Sequence, residues 1–392
     1  MNRSLLRLLP AVLLSACAAE VVDDDDVVEV DPLPEFVDDC TEESNDDFGD
    51  FAGLLAENLR EYDAQLCEGD VDWYRIDVPP GRWVSVELQI DGSGRNATDG
   101  TDLDLFHCDE VGDDVWSSAH EQDWEMLSFA NLGDEPESHY LRVDPYNTGA
   151  ADYTLAIRTA SFHEGIDCGE FYEDTEDGQC NRIMQWPAAQ AGDGYFVEHL
   201  PHYSFGRREM LYLVRYATAA VTAQWPDTMP LATLDIGERD GGTPGAMVGS
   251  LRHPEGTHVE GNDIDLAYYQ TGEDNAGRSV CPHDNYFCTG DPHLLDARKS
   301  AFFIGKLMES DNIRVIGVDP AIASALRPAA TALRDEGLMT DAAHGKFWSH
   351  LASGDGWPFH QHHMHVSWAW ESGWEGRDTP EGCLLHDAYA RD

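Results

Sequence analysis

The segment HPEGTHVEGNDIDLAYY, which starts at His253, holds His258 and Asp265 seven positions apart around Gly261. Residues on one face of an unbroken strand are an even number apart, so these two side chains can converge only if the chain bends between them. Gly261 tolerates such a bend or bulge, and the alternation in DIDLAYY predicts a strand with Asp263, Asp265 and Ala267 on one face. Far along the chain, six histidines fall between 344 and 365, four of them in FHQHHMHVSW. In a strand, His363 and His365 share a face while His362 points away. Two histidines and one carboxylate from separate segments make an open shell for a zinc ion (Zn2+) with water as the fourth ligand. The expected ligands are His258, Asp265 and His365. A lone H-x-H is common, and the joint pattern carries the expectation. No H-E-x-x-H occurs, which sets aside a thermolysin-like zinc helix.

The elements that must position these residues read as α+β. In REMLYLVRYATAAVTAQWP, Met210, Leu213, Val214, Ala217 and Val221 fall on one helical face, and Pro226 closes the segment. A second helix is predicted over about 296–309, followed by a buried strand in NIRVIGV at 312–318. Asp319 and Pro320 then supply an N-cap and a first-turn proline for the helix AIASALR. Residues 165–392 are therefore expected to form an α+β domain, a small antiparallel sheet with flanking helices. From 40 to 162 the pattern differs: short alternating runs such as WYRIDV, WVSVELQI and YTLAI are separated by turn chemistry such as PPGR and DGSG. Such spacing predicts an all-β sandwich. Since no residue of the proposed site precedes about 250, the part beginning near 165 is expected to carry the chemistry alone.

At 392 residues with 42% hydrophobic content, the chain can fill two or three cores. Its 24 basic and 75 acidic residues give a net charge of −51, which a polyphosphate surface would repel, so nucleic acid is excluded as a partner. The acidity suits solubility in a salty or extracellular milieu. Residues 1–16 read as a signal peptide, with Arg3 and Arg7 ahead of an apolar run too short to span a bilayer. Leu14-Ser15-Ala16-Cys17 resembles the lipobox of bacterial lipoproteins, which implies a membrane anchor on Cys17; ordinary cleavage beside an incidental cysteine is the alternative. Residues 17–39, with a run of four aspartates and two prolines, form a tether. Of the nine cysteines, the eight beyond Cys17 suggest disulfides. Cys281 with Cys288, Cys168 with Cys180 and Cys40 with Cys67 are plausible local pairs, although sequence does not fix connectivity.

CEGDVDWYRIDVPPG, TDLDLFHC and YLRVDPYNTGAADYTLAI resemble the bacterial pre-peptidase C-terminal domain, a small β-sandwich attached to secreted hydrolases. The resemblance implies a role in secretion, attachment or substrate contact. Asp99, Asp102 and Asp104 in this part either hold calcium or are solvated loop acids. H-x-x-G-x-D-x-D followed by H-x-x-H-x-H resembles the zinc peptidases of the lysostaphin, D-Ala-D-Ala and hedgehog superfamily, and within it the penicillin-insensitive murein endopeptidases. LDIGERDGG, the helix leading into IRVIGVDPAI, and Trp357 ahead of His360 agree with that family. Gly256 departs from it, standing where the family often has serine, and the cysteines and the insertion around 270–290 are particular to this chain.

By this resemblance His363 is the general base, and His360 stabilises the oxyanion or donates to the leaving amine. Asp263 is either an orienter of the ligands or a solvated acid, and His253, His344, His350 and His362 are bystanders. Trp357, Trp368 and Trp370 suit an open groove, or are ordinary core aromatics. The expectation is an exported zinc-dependent murein endopeptidase that hydrolyses D-alanyl–meso-diaminopimelate cross-links of peptidoglycan. It would be a periplasmic or cell-surface lipoprotein of the outer membrane. The alternatives are a D,D- or L,D-carboxypeptidase, for which Arg239 and Arg252 are the nearby cations, and a non-catalytic zinc-stabilised wall-binding lipoprotein.

Overall fold

Among the described residues, nine strands between 52 and 161 bear out the alternating pattern of the first half: β1 (Ala52–Leu54), β2 (Arg60–Leu66), β3 (Asp72–Val78), β4 (Arg82–Ile90), β5 (Leu103–Cys108), β6 (Asp114–Ser118), β7 (Trp124–Asn131), β8 (Glu137–Pro145) and β9 (Ala151–Ser161). They form a five-stranded sheet in the order β1-β3-β8-β5-β6 and a four-stranded sheet in the order β2-β9-β4-β7. Inward residues such as Ile76, Val86, Leu105 and Leu155 are fully buried, as period-two patterning requires. The computed structural model describes residues 45–368 except 46, 50, 58–59, 68, 91–101, 119–123, 147–150, 163–182, 187–188, 190–191, 199–200, 239–240, 255–256, 273 and 355. The signal segment, Cys17 and the tether lie outside the described residues, as do Cys40, Asp99, Cys168, Cys180, Arg239, Gly256 and Trp370.

The second half continues with β10 (Ile183–Gln185), β11 (Tyr195–Val197), β12 (Phe205–Arg207), helix α1 (Arg208–Gln224), β13 (Leu231–Thr233), β14 (Asp263–Ala267), α2 (Ala297–Leu307), β15 (Ile313–Gly317), α3 (Pro320–Asp335), α4 (Asp341–His350), β16 (Leu351–Ala352) and β17 (His363–Trp368). A six-stranded sheet runs β11-β13-β14-β17-β15-β16. It is mixed: β14 pairs antiparallel with β13 and β17, whereas the outer pairs β11–β13 and β15–β16 are parallel. The expected small antiparallel sheet is thus its centre. Asp319 caps α3 as its sequence predicts, its side chain accepting from Ala321 N–H at 2.8 Å. The helix then runs on past Pro328 to Asp335. No described helix is long and apolar enough to cross a membrane.

Met210, Leu213, Val214, Ala217 and Val221 of α1 are completely buried, as the helical period requires. The other face is covered too. Arg208 and Tyr212 are buried against the sandwich, and Leu211 and Arg215 are buried as well. Tyr212 stacks on Trp83 of β4 with ring centroids 5.0 Å apart, and Arg208 Nη1 donates to Glu87 Oε1 at 2.8 Å and Ser85 Oγ at 2.7 Å. The sandwich and the α+β part belong to one unit, 37–392. That packing does not fit the expectation of a self-sufficient part beginning near 165.

Candidate metal centre

The two sequence motifs meet on neighbouring strands. β14 and β17 pair with Asp265 opposite His365 and Asp263 opposite Ser367, so these four polar side chains share one face of the sheet. The bend before β14 is a reversal through left-handed backbone: φ is 55° at His258, 54° at Glu260 and 63° at Gly261. A Cβ on Gly261 would stand 2.7 Å from Arg207 N, so tight packing demands glycine there as much as the backbone does. Histidine is rare at positive φ. His258 is held in it by Asp263, whose Oδ2 accepts the His258 N–H at 3.0 Å.

Asp265 is the hub. One of its oxygens, Oδ1, is 3.0 Å from His365 Nδ1 and 3.5 Å from His258 Nε2. The other, Oδ2, is 3.3 Å from His363 Nε2 and 3.9 Å from His253 Nε2. Burial opposes ionisation of this carboxyl, but the imidazoles packed round it, with the hydrogen bond from His365, outweigh burial and hold it well below the usual carboxylate range. His258 donates from Nδ1 to the Ile236 carbonyl at 2.8 Å, which fixes its tautomer and turns Nε2 inward. That Nε2 is buried with no hydrogen-bond partner. An orphaned buried lone pair beside an ionised carboxylate is what a metal ligand looks like without its ion.

His365 is gripped at both ring nitrogens, Nδ1 by Asp265 and Nε2 by Asp263 Oδ1 at 3.2 Å. Burial disfavours its charge, yet the hydrogen bonds to Asp263 and Asp265 raise its pKa to about 9. An imidazolium therefore supplies the positive charge that the two carboxylates need. Asp263, which also accepts from Ser367 Oγ, is thereby an orienter of His365 and His258 rather than a solvated acid. Burial opposes the ionisation of Asp263 as well, but hydrogen bonding and charge from His365 bring its pKa down to about 2.

Among the described residues, the donor atoms of His253, His258 and Asp265 all lie within 4.8 Å of one another and can hold a metal ion. His253, taken from sequence as a bystander, is thus part of the cluster. Its ring is 4.0 Å from that of His258, and its Nε2 lies 2.9 Å from Asp235 Oδ2. Arg252 Nε donates to that same Asp235 oxygen at 2.6 Å. Asp235 reaches the site because the backbone beyond β13 pairs with β14, Asp265 N–H donating to Asp235 O at 2.9 Å. Its signal in sequence was a lone acid inside the apolar run of LATLDIG.

His363 and His360 each present Nε2 for proton work, since their other nitrogen is occupied. His363 Nδ1 is 3.1 Å from His362 Nε2, and His360 Nδ1 donates to the Pro358 carbonyl at 2.7 Å. His362, a second supposed bystander, therefore orients His363. Burial lowers the pKa of both His360 and His363, that of His363 strongly, so both are neutral at pH 7. Their rings are 4.7 Å apart. Trp357 lies against Gly317, where a Cβ would collide with its ring, and packs on His360 and His365 at 5.3 and 5.8 Å. Trp368, by contrast, is a core residue. His344 and His350 stay outside the cluster on α4, bonded to Thr331 and Ser349. Cys281 and Cys288 form the expected disulfide, Cys67 is also disulfide-bonded, and Cys108 is a buried free thiol.

Searched against protein-family models and against curated proteins, the sequence matches none. Solved structures give partial likenesses. The pre-peptidase C-terminal domain of a collagenase from Bacillus anthracis is 16% identical with a TM-score of 0.22, over 28% of this chain and 96% of that one. PliG of Aeromonas hydrophila, a periplasmic inhibitor of g-type lysozyme, is 10% identical with a TM-score of 0.20, over 28% of this chain and 100% of that one. The Yersinia pseudotuberculosis-derived mitogen is 13% identical with a TM-score of 0.20, over 26% of this chain and 86% of that one. Likenesses this slight bear on neither the site nor its chemistry.

Proposed function

We propose that this protein is a zinc-dependent murein endopeptidase that hydrolyses D-alanyl–meso-diaminopimelate cross-links of peptidoglycan, with His258, Asp265 and His365 as zinc ligands, the His365 imidazolium giving up its Nδ1 proton when the ion binds and keeping Nε2–H on Asp263. The observation that carries the reading is the buried, partnerless His258 Nε2 facing an ionised Asp265, with two neutral histidines alongside. Two imidazoles and a carboxylate are a donor set that suits zinc. Bound there, zinc would bring the pKa of its water toward about 7 and polarise the scissile carbonyl. His363, uncharged, takes a proton from the attacking water at Nε2, the nitrogen that faces Asp265 Oδ2 at 3.3 Å. His360, whose own proton sits on Nδ1, can stabilise the oxyanion or protonate the leaving amine only after Nε2 has gained a proton, and the one that His363 takes from the water, 4.7 Å away between ring centres, is the source that balances the step. Asp263 keeps the His365 ring in place through both steps. A purely structural zinc site has no use for two such histidines, which speaks against the non-catalytic reading. The resembling lipobox at Cys17 supports a lipid anchor at the periplasmic or outer surface.

A second reading, carboxypeptidase, rests on Arg252, a cation held beside His253 by Asp235 and able to face a terminal carboxylate. Incubation with purified sacculi and chromatography of the muropeptides separates the two. An endopeptidase converts cross-linked dimers to monomers without releasing D-alanine from monomeric pentapeptides. The opposite product pattern would establish the carboxypeptidase.

A further inference from the structure

Two aromatic rings stand exposed directly beside the second histidine motif. Tyr286 is 54% and Phe359 49% exposed, and their ring centroids are 5.0 Å apart at an angle of 43°. Neither fills a core. Phe359 precedes His360 in the chain and has φ of 66°, a left-handed conformation in which a bulky side chain is an outlier. Asn285, next to Tyr286, has φ of 83°. Strained backbone of this kind persists only where its surroundings over-determine it, and it gathers at functional sites.

The surroundings here do so. The Cys281–Cys288 disulfide closes the loop that carries Tyr286. Asp284 Oδ1 accepts the N–H groups of Tyr286 and Phe287 at 3.0 and 2.9 Å. The far end is tied to the start of α3, Cys288 N–H donating to Asp319 Oδ2 at 2.8 Å. Loop and motif are then joined directly: Phe359 N–H donates to Tyr286 O at 2.8 Å, and Val280 N–H to Gln361 O at 3.0 Å. Both rings are fixed through their backbones, and the same ties fix the segment bearing His360.

We propose that Tyr286 and Phe359 form a rigid aromatic platform that binds the aliphatic side chain of a peptide-stem residue flanking the scissile bond. The inference rests on the endopeptidase reading. Proximity selects the occupant. Phe359 is one residue, about 3.8 Å between Cα atoms, from His360, whereas the glycan is separated from a cross-link by several stem residues, roughly 10 Å or more of extended peptide. Shape agrees with it. Two rings in contact at 43° present a bent apolar surface suited to a chain of methylene groups, not one flat face for a sugar ring.

The test is steady-state hydrolysis of a purified cross-linked muropeptide dimer, with zinc content measured alongside. Y286A/F359G removes both rings, and the glycine relieves the backbone at 359. KM should rise about tenfold with a smaller change in kcat, the signature of lost substrate binding, while zinc stays bound. C281S/C288S, which keeps the rings but frees the loop, should shift KM the same way by less. Should the double-ring variant lose zinc, Tyr286→Ala alone decides, because that ring is exposed and its loop is held by backbone contacts. Unchanged KM in a variant that keeps its zinc overturns the platform and leaves the endopeptidase standing. Wild-type protein that holds zinc and splits no dimer overturns both.

Discussion

At the scale of single residues, Asp265 decides what the cluster can do, because one ionised carboxylate faces four imidazole nitrogens. Alanine at His258, Asp265 or His365 should abolish stoichiometric zinc after dialysis, since two remaining donors leave the ion mainly to water. His253→Ala discriminates between the sets: with His365 as third ligand the variant keeps its metal, and with His253 in that place the outcomes exchange. His363→Ala should retain zinc while turnover falls about 10²-fold or more, the scale of a general base. Loss of zinc in that variant would make His363 a ligand. Residues on regular elements were legible from period alone, whereas His258 and His360, which lie outside strands and helices, were legible only through their motifs. Period two places Asp263, Asp265, His363 and His365 on common faces before any coordinates exist. His253 and His362 were not legible, because both lie in turns, where no period says which way a side chain points.

At the scale of elements, the antiparallel register of β14 on β17 turns two separate motifs into one site. A slip of one residue would send His365 to the other face. The sequence predicted both strands and left their pairing open, since register depends on long-range contacts. In the sandwich, β5 and β8 hold a pair that no spacing suggested: His139 Nδ1 lies 3.0 Å from His107 Nε2, and both rings stack on Phe129. Burial lowers the pKa of His107 from 6.5 to about 4 and that of His139 from 6.5 to about 3. Below pH 6.5 the unfolded chain then binds protons that the folded chain refuses. Their contribution to stability is complete above pH 6.5 and is lost as pH falls through about 4 and then 3. Thermal melts should therefore show Tm falling on acidification across this window, and H107F/H139F should flatten that dependence. An equally steep fall in the double variant would place the acid sensitivity elsewhere.

For the molecule as a whole, the sandwich is expected to be part of the folding unit rather than a removable attachment. Amphipathic periodicity in α1 identified one buried face correctly, but could not reveal that a second layer covers the other, because Arg208, Tyr212 and Arg215 look like surface residues in sequence. The two arginines meet buried carboxylates instead: Arg208 joins Arg158 on Glu87, and Arg215 Nε donates to Asp193 Oδ1 at 2.9 Å. Removing one member of a buried ion pair costs about 3–5 kcal/mol, a large share of a domain's usual 5–15 kcal/mol. Glu87→Ala should accordingly lower Tm steeply. The same contact leads toward the metal cluster, since Arg207, next to Arg208, donates from its backbone N–H to Gly261 O at 3.0 Å and from Nε to Glu260 O at 3.3 Å, within the turn that presents His258. A chain beginning near 165 should therefore expose the outer face of α1, bind a dye for apolar surface, and take up zinc weakly or not at all. A truncated chain that melts cooperatively and binds one zinc as tightly as the full protein would show that the sandwich only rests on α1 and that the turn at His258 stands without it.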